Sequence, residues 1–350
     1  MPTLFDGLRI GEIELKNRMI MAPMTRSRAN DEGIQPVIVA EYYRQRAEAG
    51  LIITEATNIS SMAKGYVRTP GIFTEEQIES WKPIPAAVHE KGGKIFMQVF
   101  HTGRIALPDL LPGNVLPVAP SAVKAKGQNY TDAGMKDFVE PRELAVDEIK
   151  AVVKDFGVAA ANAIKAGFDG VELHAASGYL VQQFLTTNVN LRTDEYGGSV
   201  AKRSRFVLEV LEEMAGAIGS NRLGVKFSPR MPFNDIEESD AEELYPYILG
   251  ELNSRGLAYV HVGDHVNAGW HQALRPLYKG VYLAGANQTK ESGTALLASG
   301  GADGIVYGVK FLANPDLVNR FRRDAPLNDA DPGTFYTPGE KGYTDYPVLG

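Results

Sequence analysis

The stretch Gly170-Val-Glu-Leu-His-Ala-Ala-Ser-Gly-Tyr-Leu-Val-Gln-Gln-Phe184 decides the fold. An apolar strand pattern, Gly170–Leu173, stops at His174, and a run of small residues then presents Tyr179. Just upstream lies a helical period, Val146–Ala166, closed by Gly167 as a C-cap. Downstream a second helical period, Arg203–Ile218, leads into a second apolar run, Leu223–Phe227. Helix into strand, then helix into strand again, is the unit of a parallel α/β fold. The small residues after His174 also imply that something approaches the backbone closely there. An imidazole can donate to a developing oxyanion and a phenol can deliver a proton, so the pair points to chemistry on a polarised carbonyl.

Outward from this unit the alternation continues. The other strand candidates are Arg18–Ala22, Leu51–Ala56, Lys94–Phe100, Tyr259–Val262, Val281–Leu283 and Gly304–Tyr307. The other helical patterns are Val37–Ala49, Glu75–Lys91, Ala241–Arg255, Lys290–Ser299 and Asn314–Arg323, with Asn267–Tyr278 less regular. Eight strands, each followed by a helix-like segment, predict a (β/α)8 TIM barrel. An open doubly wound sheet is the alternative, but it usually carries a glycine fingerprint after its first strand, where this chain has Ala22-Pro-Met-Thr25. Residues 1–17 read as an N-terminal hairpin plugging the barrel bottom. Residues 102–145 form a long Gly/Pro/Ala-rich excursion after strand three, of the kind that makes a lid or substrate wall. The tail 324–350 has no helical pattern, and nothing splits the chain, so residues 1–350 read as one domain.

Composition narrows the function. With 44% hydrophobic and 23% charged residues the chain is an ordinary globular sequence. A net charge of −7 opposes non-specific nucleic-acid binding. The absence of cysteine removes disulfides, thiolate nucleophiles and cysteine metal sites. No signal peptide and no membrane-spanning run of about 20 apolar residues is visible, so the expected setting is cytoplasmic, as monomer or homodimer.

A barrel places its active site at the C-terminal strand ends. Those ends offer Thr25 and Arg26, Thr57 and Asn58, Gln98 and His101, His174, Lys226 and Arg230, then Asp264 and His265. Strands seven and eight end at Gly285 and Gly308, where backbone N–H groups can reach a phosphate, with Lys310 nearby as a cation. His101, His174 and His261 seed a rival reading, a metal-dependent barrel hydrolase. Its acids are sparse: Asp264 is the sole strand-end carboxylate, and Glu172 is expected to face away from His174. No metal site is therefore expected.

At many separated blocks the chain resembles the Old Yellow Enzyme family of flavin-dependent ene reductases, in its bacterial branch. The blocks are Asn17-Arg18 with Met21-Ala-Pro-Met-Thr-Arg26, Glu41-Tyr-Tyr-Arg-Gln-Arg46 through Gly50, Gln98-Val-Phe-His-Thr-Gly-Arg104, Val171-Glu-Leu-His174, Arg192-Thr-Asp-Glu-Tyr-Gly-Gly198, Ala313-Asn-Pro-Asp-Leu317 and Gly342-Tyr-Thr-Asp-Tyr-Pro347.

The resemblance implies FMN across the top of the barrel. Pro23, Met24 and Thr25 would line its ring, Thr25 bonding the carbonyl next to N5. Ala56 and Gln98 would meet the ring and its pyrimidine edge, and Lys226 would sit beside N1. Gly285, Gly308, Val309 and Lys310 would surround the phosphate. His174 and Ser177 would face the substrate carbonyl. Tyr179 would protonate the α-carbon after hydride transfer to the β-carbon, with Tyr66, Phe100 and Tyr343 as pocket walls. NADPH or NADH would reduce the flavin first. Three positions depart from the family pattern. Ser177 replaces a His or Asn, Lys226 an arginine, and Val309 another arginine. The first makes substrate binding rest mainly on His174, and it keeps open a diverted flavin reaction (nitro reduction, isomerisation or oxidation). The other two motivate a third reading, a flavin binder with little turnover.

Overall fold

The computed structural model describes residues 1–350. Eight parallel strands close into a barrel: β1 (Met19–Met21), β2 (Leu51–Ile53), β3 (Ile95–Phe100), β4 (Gly170–His174), β5 (Leu223–Phe227), β6 (Tyr259–Gly263), β7 (Tyr282–Gly285) and β8 (Gly304–Tyr307). Neighbours follow chain order, β8 pairs with β1, and the β3–β4 pairing completes the ring. The predicted (β/α)8 barrel is the observed one.

The interior is built in layers along the strands. At the lower layer the rings of Phe96 and Tyr259 fill the barrel because their register neighbours are glycines. A Cβ on Gly170 would lie 2.4 Å from the Phe96 ring, and one on Gly224 would lie 2.3 Å from the Tyr259 ring. Below them the antiparallel strands Leu8–Ile10 and Ile13–Leu15 bring Leu8, Ile10 and Leu15 against Ile20, Leu51, Phe96, Leu283 and Val306. The expected hairpin plug is thus the floor of the barrel.

Several boundaries differ from the sequence reading. Strand β2 ends at Ile53: the Thr54 N–H still donates to the Phe96 carbonyl, but the chain then leaves the ladder, and pairing with β3 resumes at Thr57–Asn58. There the Thr54 hydroxyl accepts from the Gln98 backbone N–H, and the Tyr43 hydroxyl accepts from that of Glu55. The pattern over 75–91 is two helices, Glu75–Trp81 and Pro83–His89, since proline lacks the N–H that a continuous helix needs. The helix expected over 314–323 starts only at Leu317, past Asn314-Pro315, and runs Leu317–Arg322; a separate short helix, Val309–Ala313, precedes it. A further helix, Leu180–Leu185, follows Tyr179 directly. No helix is long and apolar enough to cross a membrane.

The 102–145 excursion carries an antiparallel hairpin, Gln128–Thr131 with Gly134–Asp137, and a short parallel pair, Val118–Ala119 with Arg142–Glu143. The irregular tail is fastened by buried arginines. Arg26 donates to the carbonyls of Phe335 and Gly342, Arg28 to those of Thr334 and Phe335, and Arg46 to that of Tyr343. The Tyr343 ring stacks on Tyr42 at 4.0 Å, and the Arg28 guanidinium lies over the Tyr343 ring at 4.5 Å.

Candidate active site at the C-terminal rim

His174 is the last residue of β4, and the chain turns sharply after it. Ser177 and Gly178 both take left-handed backbone conformations. A Cβ on Gly178 would lie 2.7 Å from the Phe233 carbonyl oxygen, so the close neighbour implied by the small residues is the loop after β5. Asn234 from that loop donates to the Ser177 carbonyl at 2.8 Å. This turn delivers Tyr179 edge-on to His174, with ring centroids 4.9 Å apart at 88°. Phe100 packs against both, 6.2 Å from His174 and 5.3 Å from Tyr179. The Tyr179 and Tyr66 hydroxyls hydrogen-bond at 3.1 Å.

Protonation follows from this packing. Burial, reinforced by the charges of Lys226 and His261, pushes the His174 pKa well below its ordinary value. Its Nδ1 accepts the Ala176 backbone N–H at 3.3 Å, so the neutral ring carries its proton on Nε2. Burial, then the neighbouring Tyr66, raises the Tyr179 pKa well above the usual phenol value. The site therefore holds a neutral imidazole donor beside a protonated phenol.

Beneath them is a buried polar layer that the sequence reading missed. Glu172 faces the barrel interior, on the same side as His174 and not away from it. Residues two apart on a strand share a face, and that period was the available signal. Glu172 Oε1 accepts from Gln98 Nε2 at 2.7 Å, and Oε2 pairs with His261 Nδ1 at 3.0 Å. Three nearby groups make no hydrogen bond within the chain: the Thr25 hydroxyl, Gln98 Oε1 and Lys226 Nζ. Burial lowers the Lys226 pKa, and Glu172 opposes that shift.

Two cavities open over this layer. One, of about 430 Å³, is lined by Pro23, Met24, Lys226, His265, Gly308 and Lys310, among others, and by no carboxylate. The other, of about 760 Å³, is lined by Thr25, Tyr66 and Tyr179 from the barrel side. Its far walls are Gln128, Asn129, Tyr130 and Met135 of the excursion hairpin, and Pro332, Tyr336 and Pro338 of the tail. Ala56 lies in the apolar cluster with Phe100 and Tyr179. Gly285 ends β7 opposite Gly263 of β6. Val309 is half exposed at the smaller cavity.

Other expected site residues lie elsewhere. Tyr343 is fully buried beneath the arginines and lines neither cavity. The Ser177 hydroxyl meets only the Met231 sulfur, at 3.8 Å. Arg26 is a tail clamp rather than a strand-end reagent. His101 turns inward, its Nδ1 accepting from the Gly103 N–H, and burial lowers its pKa to about 3. His101, His174 and His261 are not brought together, and no group of three or more His, Asp or Glu side chains is placed to hold a metal ion.

The sequence profile of the NADH:flavin oxidoreductase / NADH oxidase family matches residues 3–328. The chain belongs to this family. Among curated relatives, 12-oxophytodienoate reductase 1 of Oryza sativa subsp. japonica is 43% identical, over 99% of this chain and 93% of its own. A probable flavin mononucleotide-dependent alkene reductase of Leishmania infantum is also 43% identical, over 99% and 97%. Among solved structures, morphinone reductase in complex with tetrahydroNAD superposes with a TM-score of 0.97 at 44% identity, covering 100% of this chain and 98% of that one. An Old Yellow Enzyme homologue from Zymomonas mobilis gives 0.96 at 40% identity, over 99% and 100%. The Old Yellow Enzyme resemblance read from the sequence blocks is thereby established.

The residues present fit the family's flavin. A hydroxyl, an amide oxygen and an ammonium without chain partners suit a flat ring with polar edges. The carboxylate-free cavity holding Lys226, His265 and Lys310 suits an anionic end.

Proposed function

We propose that this protein is an FMN-dependent ene reductase that reduces the activated C=C bond of small α,β-unsaturated carbonyl compounds, with NADH or NADPH as reductant. Membership in the family and identity above 40% to enzymes of alkene reduction support the reaction type. The observation that carries the reading is the edge-on pairing of a neutral His174 with a protonated Tyr179 beside three unpartnered polar groups. A cytoplasmic setting belongs to the same proposal.

In this reading Thr25, Gln98 and Lys226 would hold the isoalloxazine, Pro23, Met24 and Ala56 would line it, and Gly285, Gly308 and Lys310 would hold the phosphate. FMN, when bound, supplies the hydride that it receives from the nicotinamide. His174 Nε2–H would donate to the substrate carbonyl oxygen and stabilise the negative charge that develops there. Its depressed pKa keeps the ring neutral at pH 7, with the single N–H on Nε2 to donate. The Tyr179 hydroxyl would hand its proton to the α-carbon, and Tyr66, in hydrogen-bond contact, would hold that hydroxyl in place. Phe100 would fix both reacting rings from behind. The hairpin and tail residues of the larger cavity would set which substrates fit.

An anaerobic titration tests this. The purified protein is expected to be yellow, to bleach with NADH or NADPH, and to regain colour on addition of 2-cyclohexenone with release of cyclohexanone. A protein that takes up no FMN, or one whose reduced flavin ignores the enone, would overturn the proposal.

A further inference from the structure

Glu172 is a fully buried carboxylate that no step above uses. It sits in the barrel interior between β3 and β6, and both of its oxygens accept: Oε1 from the Gln98 amide nitrogen at 2.7 Å, Oε2 from His261 Nδ1 at 3.0 Å. An amide side chain can be turned either way by rotation about its last bond, and the two orientations differ only in which atom faces up. Here the choice is forced. Turning Gln98 over would set its carbonyl oxygen against a carboxylate oxygen, two acceptors at hydrogen-bond distance with no proton between them in a dry interior. With one Nε2–H committed to Glu172, Gln98 Oε1 is turned away from the carboxylate, and no group of the chain donates to that oxygen.

We propose that Glu172 is a positioning residue that fixes which way round the Gln98 amide sits, leaving Oε1 free to accept, so that the cofactor site selects a ring bearing an N–H at the matching edge. The inference rests on the flavin reading above. The pyrimidine edge of an isoalloxazine carries one ring N–H, at N3, between two carbonyls. Gln98 held with oxygen up is complementary to N3–H, while Gln98 turned over would complement a carbonyl. Glu172 would thus act on flavin recognition from the layer below, through one amide.

The test compares FMN with N3-methyl-FMN, which lacks that proton, by titrating apoprotein and following flavin fluorescence. Wild type is expected to bind the methylated flavin about tenfold more weakly or worse, the loss of one well-made hydrogen bond. In Glu172→Gln the neutral amide no longer forces the orientation. FMN binding is expected to weaken by about tenfold, and the methylation penalty to shrink to within about threefold. In a Gln98→Ala background, Glu172→Gln is expected to change FMN affinity little, since the residue that transmits its effect is gone. Should Glu172→Gln fail to fold, shown by circular dichroism, Glu172→Asp withdraws the carboxylate by one methylene and must shrink the penalty likewise. Equal binding of both flavins by wild type, or a penalty that persists in the variants, overturns the proposal while leaving the ene reductase reading standing. Wild type that binds neither flavin sinks both.

Discussion

The two ends of the barrel are made by the same eight strands and obey opposite rules. At the lower end Leu8, Ile10 and Leu15 of the hairpin meet Ile20, Leu51, Phe96 and Leu283 in a sealed apolar layer. Two residues further along, the interior becomes Gln98, Glu172, Lys226 and His261, and then opens at His174. Below, apolar side chains fill the space against one another. Above, Thr25, Gln98 Oε1 and Lys226 are left without partners in the chain. The contrast separates residues that hold the barrel shut from residues that wait for a ligand.

Exchanging functions between the ends is the way to break that division. The largest effect is expected from Tyr179→Phe at the upper end. Loss of a positioned proton donor should slow alkene turnover by about a hundredfold or more, with flavin reduction by NADH nearly unchanged and melting temperature little altered. If both half-reactions fall together in stopped-flow traces, Tyr179 does not supply the proton. At the lower end Ile10→Ala should do the converse. It should remove about 2–5 kcal/mol of stability in urea unfolding, with the flavin spectrum and the turnover per bound flavin preserved. A change in turnover there would mean that the two ends are mechanically coupled.

A smaller effect sharpens the boundary between them. Burial holds the pKa of His101 down at about 3, against about 6.5 in the unfolded chain. The unfolded state therefore binds the extra proton first. Stability should be full above pH 6.5 and fall as the pH drops from there toward 3, with a slope of at most ~1.4 kcal/mol per pH unit from this residue. His101→Asn, which keeps an acceptor for the Gly103 N–H, should flatten that slope in urea melts between pH 6.5 and 4. An unchanged slope would assign the acid sensitivity to the other buried imidazoles.

Legibility from sequence follows the same division. Short apolar runs alternating with amphipathic segments marked all eight strands, because burial against a helix layer demands them. The aromatic–glycine pairs Phe96–Gly170 and Tyr259–Gly224 were not readable, since register is set across strands far apart in sequence. His174 and Tyr179 stood out because a strand seldom ends in imidazole and small residues without cause. Glu172 was misplaced although its period was in plain view. The excursion hairpin was missed because Gln128–Asp137 alternates weakly and buries little on one side. Tyr343 was matched to a wall by resemblance alone, whereas arginines brought in from Arg26, Arg28 and Arg46 cover it.

Those arginines carry one more consequence. The carbonyls they grip belong to residues 334–343, and the same tail supplies Pro332, Tyr336 and Pro338 to the larger cavity. During synthesis the barrel strands are all made before this wall exists. A nascent chain paused after β8 can close its ring of strands yet has an open-sided pocket, so the larger cavity is complete only once residues 332–343 have been made and gripped.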